Sequence, residues 1–94
     1  MDSRLTLLPG GALVADGLTD LAHGLESVSA LVVAIGAPRL GALGIEVPTG
    51  SPANPEEKLY ALLARQGSDS AHSRYNGLIR RLVSFERALA CARL

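Results

Sequence analysis

Between Asp69 and Arg93, apolar side chains recur three and four positions apart. Tyr75, Leu78, Ile79, Leu82, Phe85 and Leu89 fall on one stripe of an α-helix. The other side of that helix carries Arg74, Arg80, Arg81, Ser84, Arg87 and Cys91. Earlier in the chain Val14, Leu18, Leu21 and Leu25 make a second helical line, with Asp16, Thr19, Asp20 and His23 opposite and Gly24 as a stop. Gly17 inside this helix costs about 1 kcal/mol relative to Ala, which predicts that another backbone comes close there.

Residues 28 to 35 are apolar on every side, and periodicity alone does not separate a buried helix from a buried strand in such a run. The valines favour a strand, but residues 4 to 8 offer the only strand-like partner, so a helix is the expectation. Gly36, Pro38, Gly41 and Gly44 read as punctuation after it, with one helical turn around Arg39, Leu40 and Leu43. Ile45 to Ala53 reads as a loop. Ser27 is a candidate N-cap for the 28–35 element. Asn54 is another, followed by Pro55 at the first helical position and by Glu56 and Glu57 against the positive end of the helix dipole. Leu59, Tyr60, Leu62 and Leu63 face that helix inward, Gly67 closes it, and Ser68 or Asp69 is expected to cap the last one. The expected fold is all-α: a single domain over 1–94, a small bundle of about four helices, with a short strand or arm at residues 4 to 8.

Composition narrows the physics of that core. Apolar residues make up 48% of 94 positions, but the aromatics are one Phe and two Tyr, so the interior must be built from Leu, Val, Ile and Ala. A chain of this length buries little surface for its size, and a homodimer is the expected way to cover more. The longest apolar run is far short of the ~20 residues that span a bilayer, so no membrane helix is expected. Cys91 is the only cysteine and the N-terminus has no apolar leader, which fits a cytoplasmic, bacterial-type protein.

Charge is balanced in total and uneven in place. Residues 1–57 carry a net −5 and residues 58–94 a net +5. The expectation is that the two halves pair, within the chain or across a dimer. Under that reading Arg74, Arg80, Arg81 and Arg87 form a solvated or protein-facing surface, and binding to generic duplex nucleic acid is weak. The alternative is that these four arginines contact phosphates. Glu86 breaks the pattern because it falls inside the apolar stripe with no base three or four positions away; it is expected either at the frayed, exposed edge of the helix or in a buried ion pair with Arg39 or with an arginine of a second chain.

Catalytic and ligand motifs are weak. Gly36, Gly41 and Gly44 do not have the G-x-G-x-x-G spacing of a phosphate-binding turn, and Pro38 removes a donor. Asp69, His72 and Ser73 share one turn, where a polar surface explains them better than a triad. Two scattered His and one Cys do not have zinc-ligand spacing. No catalytic residue, metal or cofactor is expected, and the function class that fits best is a non-enzymatic helical module that self-associates or binds another protein.

Overall fold

The computed structural model describes residues 3–50 and 52–92. The chain is all-α. A 3-10 turn at Ser3–Leu7 precedes four α-helices: α1 (Gly11–Ala22), α2 (Val28–Ala42), α3 (Pro55–Gly67) and α4 (Ala71–Ala92). A second 3-10 turn, Ser68–Ser70, joins α3 to α4 without a linker. Helix α2 lies at the centre, packed against each of the other three, while α1 and α3 do not touch.

That central place explains the all-round apolar pattern of residues 28–35. Ala30, Leu31, Val32, Val33 and Ala34 are all buried, and they meet Val14 and Leu18 of α1, Leu59 and Leu63 of α3, and Leu82, Phe85 and Leu89 of α4 in one aliphatic core. The helix does not stop where its glycines and proline suggested. It runs through Gly36 and Pro38 to Ala42, with the Pro38 ring on the exposed side of the helix. Gly36 is buried instead of breaking the helix; a Cβ there would stand 2.9 Å from Leu82, so its missing side chain sets how closely α2 and α4 approach. Gly17 plays the expected part between α1 and α2: a Cβ built on it would overlap the Ser29 carbonyl and the Val33 side chain.

Four other expectations change. The 3-10 turn Ser3–Leu7, with Leu8 in the bend after it, stands where a strand or arm was expected at residues 4–8; no strand exists among the described residues to pair with one there. Leu25 lies beyond the end of α1 and is half exposed, so it is not part of that helix's apolar line. Asn54 does precede α3, but its backbone is left-handed and its side chain makes no capping hydrogen bond; Pro55 and the two glutamates start the helix without it. Neither Ser68 nor Asp69 caps α4, because both belong to the intervening turn, where Ser70 Oγ donates to the Gly67 carbonyl at 3.2 Å. Ser27 caps as expected: its hydroxyl accepts from Ala30 N at 3.1 Å and donates to the Asp20 carboxylate at 2.5 Å, closing the α1–α2 turn. Arg93, at the end of the long pattern, and Ser51 of the 45–53 loop lie outside the described residues.

Candidate functional site

Three surface regions could meet a partner. The first is an open cleft of about 830 Å³ between the N-terminal 3-10 turn, α1, the 43–48 segment and the end of α4. Leu5, Leu18, Leu43, Ile45, Pro48 and Leu89 line it, and Glu46 is its one ionisable residue. The Thr19 hydroxyl at its edge donates to the Ala15 carbonyl, so it is already used. Such a lining offers apolar contact and little for proton transfer. Leu7 stands on the same turn that supplies Leu5 and is 83% exposed, the largest exposure of any big apolar side chain described. This cleft did not show in the sequence, because its walls come from four separate segments.

A smaller notch of about 430 Å³ lies between Glu56, Glu57, Tyr60, Ala61 and Tyr75. The two tyrosine rings stand 5.9 Å apart and tilted. Burial, and then the charge of Glu56, push the Tyr75 phenol above its ordinary pKa.

The third region is the solvent side of α4. Leu82, Phe85 and Leu89 turn inward, Tyr75, Leu78 and Ile79 are half-buried, and Arg74, Arg80, Arg81 and Arg87 are all exposed. Arg74 donates to Gln66 Oε1 at 2.8 Å. Among the described residues the one ion pair is Lys58 with Glu26, at 3.4 Å, between α3 and the α1–α2 turn. Among the described residues the acidic and basic halves share that one ion pair, and no carboxylate lies within 4 Å of Arg74, Arg80, Arg81 or Arg87.

Glu86 is half-buried against Gly36 of α2. Burial pushes its carboxyl above the usual range, and the nearby positive charge of Arg39 pulls it part of the way back. Arg39 is thus within electrostatic reach, but the two make no direct hydrogen bond or ion pair within 4 Å. No side-chain oxygen or nitrogen among the described residues is both buried and unpartnered, so the Glu86 carboxylate keeps contact with water.

The other sequence candidates stay apart. His72 Nε2 accepts from Asn76 Nδ2 at 3.2 Å on the surface of α4, and His23 Nδ1 lies 2.8 Å from the Thr19 carbonyl. Cys91 is free and exposed. The described residues contain no group of three or more His, Cys, Asp or Glu placed to hold a metal ion, and no helix long and apolar enough to cross a membrane. No protein-family model, curated protein or solved structure matches this chain.

Proposed function

We propose that this chain is a non-enzymatic helical module that works by associating with a second copy of itself through the apolar cleft. The observation that carries the reading is the side-by-side placement of a knob and a hole: Leu7 projects from the turn whose Leu5 forms part of the cleft wall. A two-fold pair needs one self-complementary patch, so that each copy can insert Leu7 into the other's cleft. Charge supports a second copy as occupant, because a half carrying −5 and a half carrying +5, with one ion pair among the described residues, leave both signs available across a seam. A core whose only buried aromatic is Phe85 gains most from such added burial.

Light scattering on a gel-filtration peak at tens of micromolar tests this. The expected mass is twice the 9.7 kDa of the chain. Leu7→Asp should bring it to the single-chain mass while circular dichroism stays unchanged, since Leu7 adds nothing to the core. A single-chain mass for the unaltered protein, independent of concentration, rejects the reading.

A further inference from the structure

We propose that the solvent side of α4 is a docking surface for the sugar-phosphate backbone of duplex nucleic acid, gripped from both sides of a groove. The surface is distinct from the apolar cleft and does not depend on self-association. Its exposed residues are His72, Ser73, Arg74, Arg80, Arg81, Ser84, Arg87, Cys91 and Ala92, with no carboxylate among them. The one acidic residue of the helix, Glu86, is turned to the other flank, against α2.

At 100° per residue the four arginines fall on two lines. Arg74 and Arg81 share one, Arg80 and Arg87 share the other, and about 120° separates them around the axis. Between the lines run Ser73, Gly77, Ser84, Ala88 and Cys91, all small. A Cβ added to Gly77 would meet nothing within 4 Å, so this strip is open. The result is a ridge of backbone with an arginine rail along each edge.

That shape fits a groove. A helix with its side chains is roughly 10–12 Å across and the major groove of B-form DNA is about 12 Å wide, so small residues let the ridge enter while each rail meets the phosphates of one strand. Along a rail the arginines are seven residues, or roughly 10 Å, apart, a distance over which one strand presents about three phosphates. Among the described residues none of the four guanidinium groups has a carboxylate partner, and Arg74 alone has a neutral one, Gln66, so they are available for bidentate contacts to phosphate oxygens. The ridge offers no Asn, Gln or charged side chain to read base edges, so binding through it is independent of sequence. The neutral net charge of the chain and the acidic residues on its other faces limit affinity, which places binding in the low-salt, micromolar regime.

Fluorescence anisotropy with a 20-base-pair DNA duplex, titrated from about 50 to 200 mM salt, tests the proposal. Four phosphate contacts predict a slope of log affinity against log salt between about −3 and −4, because each contact contributes about −0.9. Arg80→Ser with Arg87→Ser, or Arg74→Ser with Arg81→Ser, should each reduce that slope by about half, and a second duplex of unrelated sequence should bind equally. Circular dichroism confirms that each variant is folded. No binding at 50 mM salt overturns the proposal, as does binding that survives removal of all four arginines. Competition by poly-glutamate as strong as by DNA would also overturn it, by assigning the surface to an acidic protein. Repeating the titration on Leu7→Asp separates this surface from self-association: the variant, at its expected single-chain mass, should keep the salt slope, whereas a single-chain mass for the unaltered protein with the slope present removes the earlier reading alone.

Discussion

Helices α2 and α4 touch each other, yet they are opposite kinds of helix. Seven residues of α2 are buried, spread around its whole circumference, because α1, α3 and α4 cover it from three directions. Four residues of α4 are buried, all on one stripe, and four arginines stand in water on the other side. The first helix gives most of its surface to the fold and is exposed only near its end, at Pro38, Arg39, Gly41 and Ala42. The second keeps more than a third of its circumference free, and what it displays there is positive charge and small side chains. In a domain this small, the helix with the cleanest amphipathic pattern is also the one with a face to spare.

The sharpest way to break that comparison uses the same substitution in two places. Gly77→Ala on the open side of α4 should stabilise the protein by about 0.5–1 kcal/mol, the ordinary helix-propensity gain. Gly17→Ala should have the opposite sign, because its methyl meets the Ser29 carbonyl, and Gly17→Val should cost about 3 kcal/mol or more by forcing α1 away from α2. Urea denaturation of the three variants measures this. Equal effects at positions 17 and 77 would mean that the α1–α2 seam is loose enough to accommodate a side chain.

How much of this was legible in the sequence depended on whether the information was local. The 71–92 helix, the Gly17 contact, the Ser27 cap and the start of α3 at Pro55 were readable because each rests on periodicity or on residues a turn apart. The extent of α2 was not. Its path through Gly36 and Pro38 is decided by Leu82 and Glu86 on another helix and by the exposure of Pro38, none of which lies nearby in sequence. The 3-10 turn at Ser3–Leu7 read as a short strand or arm for the same reason: alternation over five residues is compatible with a strand, and the described residues hold no strand to pair with it. The arginine face was named residue by residue. Its freedom from ion pairs was not predictable, since half-chain net charges say nothing about which carboxylate reaches which guanidinium.

A smaller effect comes from the turn that holds α2 in place. Ser27 joins two hydrogen bonds, one to the first turn of α2 and one to Asp20 of α1. Ser27→Ala should cost about 1 kcal/mol, most of it from the lost cap. Asp20→Asn, which keeps an acceptor for the Ser27 hydroxyl and leaves the cap in place, should cost less. A larger loss at Asp20 than at Ser27 would show that the carboxylate, and not the cap, organises the turn.

The smallest effect sits at the α2–α4 seam, and its sign depends on pH. Burial raises the folded-state pKa of Glu86 above its unfolded value, so between the two values the folded chain holds the proton more tightly than the unfolded chain does. Stability therefore falls as pH rises through that window, and at neutral pH the ionised carboxylate is a standing cost. Glu86→Gln removes that cost. The variant should match the parent near pH 3, where Glu86 is protonated in both states, and should be more stable at pH 7 by less than about 1 kcal/mol, since the carboxylate still reaches water. Arg39 partly offsets the cost from a distance, so Arg39→Ala should destabilise the parent slightly at pH 7 and leave the Glu86→Gln protein unchanged. Denaturation of the four proteins at pH 3 and pH 7 forms the cycle. A coupling of about 2 kcal/mol or more would mean that the two side chains close into a direct, desolvated ion pair in solution. A loss of stability for Glu86→Gln at pH 7 would mean that its carboxylate supports the seam instead of straining it.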